Sequence, residues 1–170
     1  AAAFDSTNNK VVICYEEGSS LKAAVGTVSG TSISFGTPVE VFNDNNVTRD
    51  VVFDTNAGKF LFAYPGLNNT RLYLRVGTVS GTSLTLGTET SVFTSAVKQI
   101  AMSYDPDINK SVITFIDGYG SSYPKSVVAT ITGTTPSIGS AYVIWSNDPY
   151  GNPIGQTYDT NSDKHVVVYK

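Results

Sequence analysis

The side chains best suited to chemistry in this sequence are aromatic rings, amides and carboxylates gathered in a few loops. One loop holds Trp145, Asn147, Asp148 and Tyr150, and another holds Asp117, Tyr119 and Tyr123. Two more hold Asn43 and Asp44 followed by Arg49, and Asn68 followed by Arg71. A sugar needs an apolar platform for its C–H face and planar polar groups for its hydroxyls, and these residues supply both. They are the candidate ligand-binding residues, with the loop of Trp145 and Tyr150 foremost. The competing reading is loop solubility, with the aromatics capping the core.

Other chemistry has thinner material. Asp105, Asp107 and Asn109 place oxygen-bearing side chains at alternate positions, as calcium loops do, and Asp159 to Asp163 repeats the arrangement. The glycine and the terminal bidentate Glu of such loops are missing, and Asx-turn chemistry accounts for the same residues. No metal and no cofactor is therefore expected. The sole histidine, His165, opens an apolar strand without a sequence-local Ser, Cys or metal-ligand partner, so a structural role is expected. Glu16 and Glu17 are adjacent on a strand end and point in different directions, which suits a glycosidase pair poorly. Cys14 lies in the apolar run Val11-Val12-Ile13-Cys14-Tyr15 and reads as a small buried thiol.

The elements that must carry these loops are repeats. Gly26-Thr27-Val28-Ser29-Gly30-Thr31-Ser32 returns at Gly77 and, weakened, at Ala129, spacings of 51 and 52 residues. Each copy predicts a tight hairpin tip, because Gly flanked by Ser and Thr permits positive φ. A second unit precedes each tip: Phe4-Asp5 with Asn9-Lys10, Phe53-Asp54 with Gly58-Lys59, Tyr104-Asp105 with Asn109-Lys110, and Tyr158-Asp159 with Asp163-Lys164. An aromatic and an Asp close one strand, and an Asn, Gly or Asp in the left-handed region leads into the next.

Each repeat reads as four strands, a to d. Strand a ends at the aromatic-Asp pair, and its small residues Ala2, Ala101 and Gly155 suit a crowded position. Strand b is a nearly continuous apolar run, which predicts cover on both faces. Strand c leads into the tip. Strand d alternates Ile33 and Phe35, or Leu84 and Leu86, with Ser and Thr, and its Pro38 and Pro136 mark an edge. The fold class expected is all-β, with about three and a half four-stranded antiparallel β-propeller blades spanning 1–46, 47–98, 99–152 and 153–170. A β-sandwich would explain the strands but not the period. Three and a half blades cannot close a ring, so the expectation is a larger or oligomeric propeller, completed by other copies or chains. The opening Ala1-Ala2-Ala3-Phe4 shows no signal peptide and no initiating Met, which fits a processed product or a piece of something longer.

Composition narrows the partners. The chain has 170 residues, 15% of them charged, and a net charge of −3 without a basic patch, so nucleic acid is not expected. No apolar run approaches the about 18 residues of a membrane-spanning helix, so no membrane insertion is expected. One cysteine excludes an internal disulfide.

The repeat strings resemble those of tail-fibre-like and other virion structural proteins of bacteriophages, especially marine phages, most clearly over residues 4–37 and 53–88. The resemblance implies a structural or receptor-recognition role in a virion or extracellular fibre. Family repeats carry an Asp-x-Gly-Asn-Ser-x-Tyr-like loop, which only Asp117 to Tyr123 approaches. The expectation is a non-enzymatic module that binds a host-surface glycan or protein through its b–c and d–a loops. Its rivals are a purely architectural assembly module and a propeller glycosidase fragment.

Overall fold

The computed structural model describes residues 1–43, 48–118, 122–146 and 154–169. Within them the chain is all-β, in four separate antiparallel sheets met in chain order. The first contains β1 (Ala2–Asp5), β2 (Lys10–Glu17), β3 (Ser20–Ser29), β4 (Ser32–Phe35) and β5 (Val39–Phe42). The second contains β6 (Asp50–Asp54), β7 (Lys59–Pro65), β8 (Leu72–Ser80), β9 (Ser83–Leu86) and β10 (Thr90–Phe93). The third contains β11 (Val97–Asp105), β12 (Lys110–Asp117), β13 (Pro124–Thr132), β14 (Thr135–Ile138) and β15 (Tyr142–Val143). The fourth is the pair β16 (Ile154–Asp159) and β17 (Lys164–Tyr169). No helix among the described residues is long and apolar enough to cross a membrane.

Local chemistry sets the turns. After each strand a, the Asp carboxylate caps the turn. Asp5 Oδ1 accepts the N–H groups of Thr7 and Asn8 at 2.9 Å, and Asp105 Oδ1 accepts those of Asp107 and Ile108 at 2.9 and 3.2 Å. The residue before each Lys is left-handed: Asn9, Gly58, Asn109 and Asp163 have φ of 55–63°. Hairpin tips close on Gly30, Gly81 and Gly133, again at positive φ.

Strand d differs from expectation. It is two short strands rather than one, and both pieces pair with strand c: β4 and β5 on β3, β9 and β10 on β8, β14 and β15 on β13. The break falls at Gly36, Gly87 and Gly139. A Cβ on Gly36 would collide with the Thr82 carbonyl of the second sheet's tip, and one on Gly87 with the Thr134 carbonyl of the third. In the first two sheets the interruption coincides with the neighbouring sheet's tip against the backbone, whereas at Gly139 a Cβ would meet only its own sheet's Val128 carbonyl. Pro38 lies in the first break, and Pro136 sits on β14, opposite Ile131.

The sheets stack face to face in succession, and two hydrophobic cores lie between them. Val12 and Cys14 of β2 meet Phe60, Phe62 and Tyr64 of β7 in the first core. On the other face of β7, Leu61 and Ala63 meet Ile113 and Phe115 of β12 in the second. Strand β7 is therefore covered on both sides, as its continuous apolarity requires. Ala101 is 5% exposed, but Ala2 and Gly155 are exposed, so crowding does not explain those two small residues.

Polar tethers join the same neighbours. Arg75 donates to the Gly87 carbonyl in its own sheet and to the Val41 carbonyl in the first sheet, each at 2.8 Å. Asp50 of β6 accepts the Met102 N–H of β11 at 2.7 Å. Tyr104 and Tyr158, the aromatics of the aromatic-Asp pairs, reach back to the preceding sheet's turn, at the Asn56 N–H and the Asp107 carboxylate. The first strands β1, β6, β11 and β16 run side by side in that order. Among the described residues the sheets form no closed ring.

Candidate functional site

Antiparallel order sorts the connections into two ends. The a–b turns and the c–d tips share one end, where the Lys59 ammonium reaches the Gly133 carbonyl of the next sheet's tip. The b–c and d–a loops share the other, where Gly118 N–H donates to the Ala96 carbonyl at 2.7 Å. The turn end repeats the same residues in every sheet, whereas the loop end changes each time. Rigid sheets presenting variable loops are the usual setting for recognition.

On the loop end, a cleft of about 450 Å³ opens between the b–c loop of the second sheet and the connection that leads to the third. Asn68 and Thr70 come from the b–c loop of the second sheet, and Thr94, Ser95 and Ala96 from the d–a loop after it. Asn68 takes φ of 56°, a conformation that Asn tolerates better than most residues. Its loop is closed by Gly66 N–H to the Arg71 carbonyl at 2.9 Å and by the Thr70 hydroxyl to the Leu67 carbonyl at 2.8 Å. Farther along the same end, Trp145 is 44% exposed and its ring lies 5.8 Å from that of Tyr169.

The sequence candidates divide. Asn68 lines the cleft, Arg71 and Asn43 are exposed, and Trp145 offers an open ring face. Arg49 lies 3.7 Å from Glu16, so the guanidinium serves the joint between the first two sheets. Asp117 is 7% exposed and accepts from Lys125 at 2.7 Å, and that ammonium also sits 4.7 Å over the Phe93 ring. Both contacts give these charges structural work inside the fold. Tyr123 is half-buried, and its carbonyl receives the Asp117 N–H at 3.1 Å. Asp44, Tyr119, Asn147, Asp148 and Tyr150 lie outside the described residues. Thr70, Thr94, Ser95 and Ala96 were not singled out from sequence. Aligning the repeats places them in b–c and d–a loops, but they carry neither ring nor charge.

Two other constellations emerge only from packing. Ser103 Oγ lies 2.7 Å from His165 Nδ1, and His165 Nε2 lies 3.6 Å from Asp105 Oδ2. This has the order of a nucleophile, base and orienting acid. Yet Ser103 is 6% exposed, its oxygen also accepts the Gln156 amide at 2.6 Å, and Asp105 caps its own turn. The trio is a polar clasp between the third and fourth sheets. Burial pushes the imidazole below its ordinary value, against the pull of Asp105. Glu16 and Glu17 are likewise engaged, with Arg49 and, at 3.2 Å, with Lys22.

The second constellation is acidic. Asp105 and Asp107 fall within 4.8 Å of Asp163, from the next turn, and the Tyr158 hydroxyl bridges Asp107 and Asp163 at 2.8 and 2.5 Å. Asn109, the third residue of the calcium-like series, accepts the Tyr104 hydroxyl at 3.2 Å. Each of these four residues thus has a hydrogen-bond partner in the turns. Where the four first strands converge, a shallow cleft of about 580 Å³ runs from Ala2 and Phe4, past Asp50 and Ser103, to Gln156 and Tyr158.

No family model, curated protein or solved structure matches the chain. The reading of the candidate site therefore rests on the molecule's own geometry.

Proposed function

We propose that the chain is a non-enzymatic recognition module, a set of propeller-type blades whose loop end binds a surface glycan or protein. The cleft bounded by Asn68, Thr70, Thr94, Ser95 and Ala96 is the observation that carries this reading. It offers an amide, hydroxyls and methyl groups in one concavity on the variable end, the mixture that a sugar ring or a polar peptide engages. The open face of Trp145 supplies a stacking platform on the same end. The successive stacking of similar sheets, with their first strands adjacent, supports the propeller arrangement. The likeness of the repeat strings to phage fibre repeats supports a virion or extracellular setting. A binding role is preferred to a glycosidase because Glu16 and Glu17 are taken up by cationic partners.

The test is binding to a panel of immobilised glycans and intact bacterial surfaces, with Asn68→Gly and Trp145→Ala. Glycine keeps the left-handed backbone at 68 while removing the amide. Loss of a buried hydrogen-bonding group or a stacking ring weakens binding by about tenfold or more. Binding that both variants leave intact would remove this site.

A further inference from the structure

The three complete sheets share a device that the fourth lacks among its described residues. In each, strand b pairs on its outer side with strand c: Val11 opposite Gly26, Phe60 opposite Gly77, Ser111 opposite Ala129. In the first and third sheets the Lys opening strand b donates to a Thr hydroxyl on strand c, Lys10 to Thr27 at 2.8 Å and Lys110 to Thr130 at 2.7 Å, while Lys59 of the second reaches the Gly133 carbonyl of the next sheet's tip. The c–d tip then presses its Thr carbonyl onto the preceding sheet's strand-d glycine, Thr82 on Gly36 and Thr134 on Gly87. Val25 and Val76, on strand c of the first two sheets, are 1% and 0% exposed.

At the end of the array every one of these positions is open. Among the described residues β17 pairs with β16 alone. Lys164 turns back to the carbonyl of Asp163 at 3.3 Å. A Cβ on Gly139 would meet only its own sheet's Val128 carbonyl, at 3.6 Å. Val128, which stands where Val25 and Val76 stand, is 43% exposed. Four independent positions therefore mark the outline of one object.

We propose that the outer edge of β17 is a docking site for a β-hairpin of this chain's own c–d type. Its first strand pairs antiparallel with β17 and offers a Thr hydroxyl to Lys164. Its Gly-Thr tip seats a carbonyl on Gly139, and its body covers Val128. This is strand addition: the main chain supplies affinity, and the glycine seat and the lysine supply register. The occupant follows from continuity with the two sheet-to-sheet joints already present in the molecule. The inference does not depend on the ligand reading of the loop end.

The experiment extends the chain after Lys170 with its own residues 66–93, since aligning the repeat sequences matches Lys170 to Pro65. Amide exchange along Lys164–Tyr169 should slow by about tenfold or more, with a raised Tm, and the extended chain should stay monomeric. A scrambled 66–93 extension should do neither. Gly139→Ala should be neutral in the original chain, where its Cβ has space, and should cancel the gain in the extended chain. Unchanged exchange in β17 on extension would overturn the proposal. So would protection that Gly139→Ala leaves intact.

Discussion

The second and fourth sheets carry the same strand-b pattern and meet opposite fates. Leu61 and Ala63 of β7 are 0% and 1% exposed, while Val166 and Val168, in the same register of β17, are 44% and 67% exposed. Apolar character in a strand therefore states what the strand can cover, and the neighbouring sheet decides whether it does. The second sheet has two neighbours, and the fourth has one.

Mutation should widen or close that contrast. The largest effect is expected at Phe62, 1% exposed in the first core and in contact with Gly77, where an added Cβ would lie 2.6 Å from the ring. Phe62→Ala should cost about 3–5 kcal/mol in denaturant unfolding, whereas Val168→Ala should stay within about 0.5 kcal/mol. Equal losses at the two positions would show that both sheets are covered in solution. Next is the turn cap. Asp54 is 2% exposed and accepts the Ala57 N–H at 2.8 Å, so Asp54→Ala should cost about 1–3 kcal/mol. The equivalent Asp159→Ala, on an exposed turn, should cost less.

A smaller effect belongs to His165. Burial favours its neutral form, so the folded chain holds a proton there less tightly than the unfolded chain. As pH falls below about 6.5, the unfolded state takes up the proton first and stability declines. The decline ends once the folded imidazole also titrates. Asp105 and Asp163 both pull the other way, so the slope should be shallow. His165→Gln should abolish it in pH-dependent thermal melts, while leaving the acid response of the first two sheets unchanged. The smallest signal is chemical. Burial pushes the Cys14 thiol up to about 12, so a soluble alkylating reagent at pH 8 should leave native Cys14 unmodified. Rapid labelling would show that the first core opens.

Much of this architecture was legible because it is local. The left-handed turn residues, the Asp caps and the Gly tips are fixed by neighbours a few positions away, and the all-β class followed from them. The period of about fifty residues announced similar sheets. What could not be read lies between repeats. Ser103 and His165 are 62 residues apart and meet only because β17 packs on β11. The seating of the Thr82 and Thr134 carbonyls against Gly36 and Gly87 joins different sheets, which no local pattern records. The candidate site shows the same division. Asn68, which lines the cleft, and Trp145, whose ring is exposed, stand out in the sequence by residue type. Asp117 and Arg49 looked equally promising in the linear chain, yet in the fold they answer Lys125 and Glu16.

Because, among the described residues, the main contacts of each sheet are with the sheets before and after it in the chain, the molecule behaves thermodynamically like a row of coupled links. Opening should start at the two end links, which have a single coupling, and first at the two-stranded fourth sheet, so fraying would release β16 and β17 while the central links stay shut. Whole links could be inserted or deleted without disturbing the joints elsewhere, which gives duplication an inexpensive route to longer or shorter members of the array.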